Sequence, residues 1–243
     1  VILLNHQDTN DCPDELTILS EHERFLVAYK PEGYSIHATA ANSSHQCNFT
    51  AELRKQRGDT TLFPCHRLDT VTSGVVLVAK GEKANSELSQ LFERRKIEKY
   101  YIALTDKKPK KKQGLVSGDM KPARRGDWKL SKSKENPAVT QFFSYGLGNG
   151  RRLFLLKPHT GKTHQIRVAM KSLGAPILGD ERYRGGDSDR CYLHAYGISF
   201  VLGGEHYAFY CPPKTGQFFT EAIINTTLAE HHPLALLPWP RVL

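Results

Sequence analysis

The stretch His66-Arg67-Leu68-Asp69-Thr70-Val71-Thr72-Ser73-Gly74-Val75-Val76-Leu77-Val78-Ala79-Lys80 changes character at Gly74. Before it stand a guanidinium, a carboxylate and several hydroxyls within a few residues. After it runs an apolar, β-branched segment with no polar alternation, the pattern of a buried strand. A polar turn feeding a rigid strand is where loops carry function. The plain structural alternative is a turn in which Asp69 caps its own backbone.

Working outward, residues 17–19 and 25–29 read as strands, the second closed by Lys30-Pro31-Glu32-Gly33, since proline lacks a ladder donor and glycine permits a turn. Residues 49–57 read as a short helix ended by Gly58, and residues 82–96 as a helix with Ala84, Leu88, Leu91 and Phe92 on one face. Residues 99–104 return as a strand. Residues 138–145 and 152–156 form a hairpin signal around 146–150, and residues 192–201 and 206–210 another around Gly203-Gly204. Residues 162–173 read as a helix ending at Gly174, and residues 218–228 as a last amphipathic helix. Strands dominate and hairpins recur. The expected class is α+β, a mixed and mostly antiparallel sheet with flanking helices. The expected organisation is a flexible arm over residues 1–15 and a single domain over residues 16–243.

The chain has 243 residues and a net charge of +9, enough length to bury a core without disulfides. Its charge is concentrated. Residues 94–134 hold 15 Lys and Arg against 4 acids, while the remainder holds 19 basic and 21 acidic residues. Lys110, Lys111 and Lys112 lie within this window, and its part at 106–134 reads as a basic insertion or loop. Clustered cations fit a polyanion, since they release condensed counterions from nucleic acid. An anionic membrane surface is disfavoured because Pro109, Gly114, Gly118, Pro122 and Gly126 break any amphipathic helix there. No segment has 18 consecutive apolar residues. Five cysteines with no CxxC spacing favour structural thiols over a disulfide framework or a zinc site, and no metal is expected.

Three clusters carry candidate chemistry. Asp69 suits a general base, a nucleophile or a metal ligand, and the last is disfavoured by the scarcity of nearby acids. A nucleophilic Asp69 needs a cation to hold it ionised. The second cluster is His159-Thr160-Gly161-Lys162-Thr163-His164-Gln165-Ile166-Arg167. Arg167 sits between apolar neighbours, and if buried it demands a carboxylate, for which Asp69 is a candidate. The third is Lys99-Tyr100-Tyr101 on a strand, where the two tyrosines face opposite sides. Gly161-Lys162-Thr163 is not the end of a phosphate-binding loop, because Leu156 stands where that motif needs glycine.

Together these blocks resemble the RluA-type RNA pseudouridine synthases. His66-Arg67-Leu68-Asp69 with Thr72-Ser73-Gly74 resembles that family's catalytic motif. Lys99-Tyr100-Tyr101-Ile102-Ala103 resembles its Lys-x-Tyr-x-Ala strand, and residues 161–168 with Gly179-Asp180 and Tyr183 resemble its third motif. The blocks span residues 25–211 in order. The chain departs from the pattern at Ala169, Lys162 and the basic segment, and looks like the short, catalytic-domain-only type.

The resemblance implies an isomerase that converts uridine to pseudouridine in rRNA or tRNA, with no cofactor, no membrane association, a cytoplasmic location and a monomeric state. It implies Asp69 as the essential carboxylate, either attacking the ribose or assisting proton removal from it. Arg167 is the expected ion-pair partner. Tyr101 is expected to stack on the base and help remove the C5 proton. The expected RNA contacts are His66, Arg67, Thr72, Lys162, Thr163, His164, Gln165 and Lys110 to Lys112. A non-catalytic RNA-binding or ribosome-assembly protein is the alternative, disfavoured because a pure binder has no need of a paired carboxylate.

Overall fold

The computed structural model describes residues 15–36 and 47–242. Apart from Glu15, the expected arm lies outside the described residues. In chain order the elements are β1 Ile18–Glu21, β2 Phe25–Lys30, α1 Phe49–Arg57, β3 Leu62–Pro64, β4 Ser73–Lys80, α2 Gly81–Glu93, β5 Glu98–Thr105, β6 Gln113–Pro122, β7 Trp128–Leu130, β8 Pro137–Gly148, β9 Arg151–Pro158, α3 Gln165–Ser172, β10 Leu193–Leu202, β11 Glu205–Tyr210 and α4 Ala222–Glu230. Short 3-10 turns follow β6, α3 and α4.

The strands form one sheet in the order β1-β2-β4-β10-β5-β9-β8-β6-β7, with β3 beside β4 and β11 beside β10. Among the described residues its strand pairs are antiparallel except one, β10 with β4, where His194 lies opposite Ser73 and Ala195 opposite Gly74. The fold is α+β with a mixed, mostly antiparallel sheet.

β2 and β4 read as apolar runs because both of their faces are covered. Leu26, Ala28, Val76 and Val78 join a core shared with Phe49 and Leu53 of α1 and Ile224 and Leu228 of α4. Phe25, Val27, Val75 and Leu77 join a second core with Ala84 and Leu88 of α2 and Phe200 of β10. Leu77 is wholly buried, so truncating it to Ala costs about 2–5 kcal/mol. α1 is capped at both ends. The Asn48 side chain accepts from the Ala51 N–H, and Gly58 closes the helix at φ 60°.

The observed elements depart from expectation at three places. α2 stops at Glu93 because Arg95 turns left-handed at φ 55°. α3 starts at Gln165 instead of 162, because His164 adopts φ 55° and cannot continue a helix. α4 starts at Ala222, after Phe219 has packed into the core. The basic segment is also no plain loop. Much of it is strand, β6 pairing with β8 and β7 with β6 at the end of the sheet. Cys65, Cys191 and Cys211 are free thiols, whereas Cys47 is disulfide-bonded, against the thiol expectation.

Candidate active site

The parallel pairing of β4 with β10 builds the site. Gly74 has φ 124°, and a Cβ there would meet the Ala195 carbonyl oxygen at 2.2 Å. Glycine is required so that β4 and β10 can close together. A buried chain of polar groups locks the junction. Arg190 Nη2 donates to Ser73 Oγ at 2.8 Å, Ser73 Oγ meets His194 Nδ1 at 2.8 Å, and His194 Nε2 meets the Cys211 carbonyl at 2.8 Å. A carbonyl only accepts, so Nε2 carries the proton and Nδ1 accepts from Ser73. Burial pushes the His194 pKa down to about 3, so the ring is neutral.

The turn that enters β4 is closed by its backbone: the Thr72 N–H donates to the Asp69 carbonyl at 2.9 Å. The Asp69 carboxylate is therefore not spent on capping. Its Oδ2 accepts from Arg167 Nη1 at 3.3 Å. Beside it, the Lys30 ammonium is wholly buried and donates to the carbonyls of Pro31, Tyr34 and Thr70. Burial pushes its pKa down to about 7. Three carbonyl acceptors nonetheless match the three donors of a charged ammonium, so we read Lys30 as a cation that ties β2 to the Asp69 turn.

Arg167 is 5% exposed and needs compensation. Asp69 supplies only part of it. Nε and Nη2 make a bidentate pair with Asp180, at 2.8 and 2.7 Å, and the guanidinium lies 5.0 Å from the Tyr183 ring centre. Burial opposes the charge, but the Asp180 hydrogen bonds and field outweigh it and hold the Arg167 pKa above its ordinary value. Asp180 is 1% exposed and also accepts from the Tyr183 N–H. Gly179, just before it, lets the chain pass close to Arg190, since a Cβ there would meet the Arg190 carbonyl oxygen at 1.7 Å. Asp180 is the main functional residue to which its sequence motif gave no role. The demand of a buried Arg167 for a carboxylate was the signal available for it.

Asp69, Arg167, Arg67 and His164 stand between two cavities, of about 450 and 730 Å³. Tyr101 lines the smaller one with Lys99, His159 and Lys162. Burial, and then the Asp69 charge, push the Tyr101 pKa up. Its phenol therefore keeps its proton at neutral pH, which favours the expected stacking over the expected proton removal.

The sequence-derived RNA contacts divide. Arg67 is exposed and reaches both cavities. Thr163 is exposed beside the larger one. Lys162 lies at the smaller cavity, with Nζ on Asn136 Oδ1 at 2.8 Å. His164 faces both cavities, and its Nδ1 meets the Tyr183 hydroxyl at 2.8 Å. Burial pushes the His164 pKa down.

Three other expected contacts, which also line the smaller cavity, carry internal hydrogen bonds. His66 Nε2 accepts from the Leu77 N–H at 3.1 Å and its ring stacks on Phe92. Burial pushes its pKa down to about 3, so it is a neutral brace for β4 and not a cation for RNA. Thr72 is 2% exposed and is part of the turn. Gln165 is buried and fully used: Oε1 accepts from the Lys162 N–H and the Thr160 hydroxyl, while Nε2 donates to Val139 and Thr140.

Lys110, Lys111 and Lys112 are exposed between β5 and β6, at neither cavity. The strands beyond them do reach the site. The Trp128 N–H of β7 donates to the Tyr183 hydroxyl at 3.1 Å, and Arg182 Nη1 donates to the Gly126 carbonyl at 3.1 Å. Lys121 and Lys129 are exposed and directly opposite each other across β6 and β7, a repulsive like-charge pair. Among the described residues, neither has a carboxylate within ion-pair distance, although Asp127 is held by Arg182.

Comparison with known proteins gives a consistent result. A family model described as RNA pseudouridylate synthase matches residues 24–172. An uncharacterised RNA pseudouridine synthase of Haemophilus influenzae is 44% identical over 212 residues, covering 86% of this chain and 93% of the relative. The dual-specificity RNA pseudouridine synthase RluA of Escherichia coli is 33% identical over 74% of this chain and 84% of its own length. The solved structure of human RNA pseudouridylate synthase domain containing 1 covers 94% of this chain and 98% of its own. It has a TM-score of 0.72 at 24% identity, a likeness of fold.

Proposed function

The chain belongs to the RluA-type family of RNA pseudouridine synthases, and from that premise we propose that it isomerises specific uridines of structured rRNA or tRNA with Asp69 as the essential carboxylate. The observation that carries the proposal is the Asp69–Arg167 contact of 3.3 Å on the wall of a cavity that Tyr101 also lines. A pure RNA binder has no use for a carboxylate aimed at a buried guanidinium.

The target nucleotide leaves its stack to enter the cavity, because RNA is read on unstacked bases. Its base lies on the Tyr101 ring and its ribose faces Asp69. The C1′–N1 bond then breaks, with Asp69 either bonding C1′ or taking a proton from the sugar. The uracil turns and C5 bonds to C1′, as the Asp69–C1′ bond breaks in the first case or Asp69 returns the proton to the sugar in the second; the C5 proton then leaves to water and N1 takes one up from it. Arg167 keeps the carboxylate in place, and Asp180 keeps Arg167 in place. Exposed Arg67 at the mouth of both cavities is suited to the space the base vacates or to a flanking phosphate. Thr163, Lys162 and His164 form the rim on the α3 side. The lysines of β6, β7 and the preceding loop hold the flanking RNA, and the Trp128–Tyr183 bond fixes that grip relative to the site. The proposed enzyme acts in the cytoplasm as a monomer.

The experiment is to map pseudouridines in total RNA from cells lacking the gene, complemented by wild type or by Asp69→Asn. The expected result is loss of one or a few positions in rRNA or tRNA, restored by wild type only. Restoration by Asp69→Asn removes Asp69 from the chemistry, and an unchanged map rejects the substrate class.

A further inference from the structure

Lys99 is two residues from Tyr101 on β5, so the two side chains share a face about 7 Å apart along the strand. Both line the smaller cavity. The opposite face of the same strand is saturated: Glu98 takes Lys157 at 2.6 Å and the Tyr100 hydroxyl. Lys99 has no such arrangement. It is half-buried, and among the described residues no carboxylate or carbonyl lies within bonding distance of its Nζ. Burial pushes its pKa down with no acid to offset it.

The other titratable groups around the cavity do not serve it. His66 is neutral and bonded to Leu77, His159 meets Gln141 at 2.6 Å, Arg95 is a cation, and Asp69 is taken by Arg167. Glu93 also lines the cavity but is not an ion-pair partner of Lys99. An ammonium kept partly out of water with no partner is costly. A cost of that kind is recovered when a ligand supplies the missing acceptor.

The reading of this chain as a uridine isomerase supplies one, and the role assigned to Lys99 rests on that reading. Whichever way Asp69 acts, the electron pair of the C1′–N1 bond leaves with the uracil. The detached base is then an anion, its charge spread over N1, O2 and O4 until C5 bonds to C1′ and the C5 proton is exchanged for one on N1. We propose that Lys99 is a further catalytic residue, donating to a uracil carbonyl oxygen and stabilising that anion. The ammonium stands beside the tyrosine proposed to carry the base, and it is less exposed than Arg67 at the mouth. A donor aimed at charge that appears only as the bond breaks lowers the barrier more than it tightens binding.

The test compares wild type, Lys99→Met and Lys99→Arg on rRNA and tRNA labelled with tritium at uridine C5, taken from cells lacking the gene. Tritium release is followed at saturating RNA, and RNA affinity is followed against salt. For Lys99→Met the expected result is a rate lowered about 100-fold or more. Its affinity and salt slope are unchanged, and Lys99→Arg recovers part of the rate. A salt slope flattened by about one phosphate's worth with the saturated rate intact makes Lys99 a phosphate ligand and overturns the proposal. Equal rates in wild type and Lys99→Met also overturn it. If Lys99→Met does not fold, Lys99→Arg decides: a saturated rate below wild type with affinity and salt slope unchanged supports a positioned donor, and any other result counts against it. Wild type that releases no tritium overturns the isomerase reading itself, and this proposal with it.

Discussion

The buried ion cluster around Asp69 and the β6–β7 edge of the sheet both concentrate charge, and they treat it in opposite ways. Around Asp69 the buried guanidiniums are matched by carboxylates: Arg167 serves Asp69 and Asp180, and Arg190 meets Glu32 at 2.8 Å. At the edge, Lys121 and Lys129 face each other in solvent, and among the described residues neither has a carboxylate within ion-pair distance. Matched, buried charge fixes geometry and is expensive to break. Unmatched, exposed charge costs little to keep and is available to a polyanion. Substitutions should therefore separate chemistry and stability from grip.

The largest effect is expected at Asp180. Asp180→Ala strips Arg167 of its bidentate partner and should lower stability by about 3–5 kcal/mol, read by urea unfolding. A change below about 1 kcal/mol would mean that Asp69 alone suffices for Arg167. At the edge, replacing Lys121, Lys129, Lys132 and Lys134 by Gln should leave the unfolding midpoint nearly unchanged, or raise it slightly as the repulsion is relieved. RNA affinity should fall, and the salt slope should flatten by about 0.7–0.9 for each phosphate no longer neutralised. An unchanged slope removes the edge from RNA binding.

Tyr101→Phe sharpens the site's half of the contrast. If the ring stacks and the hydroxyl moves no proton, the rate of tritium release should fall by less than about 10-fold. A loss of about 10²–10⁴-fold would assign the hydroxyl to proton transfer. The smallest effect concerns pH. His194 is wholly buried and neutral, with its pKa pushed down to about 3, whereas an unfolded histidine titrates near 6.5. The unfolded chain binds the extra proton between those values. The contribution of His194 is thus complete above about pH 6.5 and declines as pH falls toward 3. Melting temperatures of His194→Gln should fall less steeply with acid than those of wild type, from a lower starting value.

The same contrast explains what the sequence disclosed. β2 and β4 were legible because burial on two faces leaves no polar residue in the run, and the hairpins because Gly203-Gly204 and residues 146–150 carry turn chemistry. The starts and stops set by Arg95 and His164 were not legible. Nothing local marks a non-glycine residue for a left-handed backbone. β6 was hidden because Gly114, Gly118 and Pro122 read as breakers, yet pairing with β8 along residues 113–119 and with β7 over 120–122 holds it as a strand. Gly118 is needed there, since a Cβ would meet the Ser131 carbonyl oxygen at 2.3 Å. Asp69, Tyr101 and Arg167 could be named from their motifs. His66, Thr72 and Gln165 lie in the same motifs, but their motif positions do not distinguish a contact to bound RNA from a hydrogen bond that holds the turn.

The most direct test of the division between chemistry and grip is one paired measurement on Asp69→Asn, a substitution nearly isosteric with the carboxylate. Tritium release from C5-labelled RNA and RNA affinity are measured on the same preparation. Release should be absent within detection, while affinity and salt slope stay within about 3-fold of wild type, under about 1 kcal/mol. Measurable release by Asp69→Asn, or a collapse of RNA binding in it, would contradict the account.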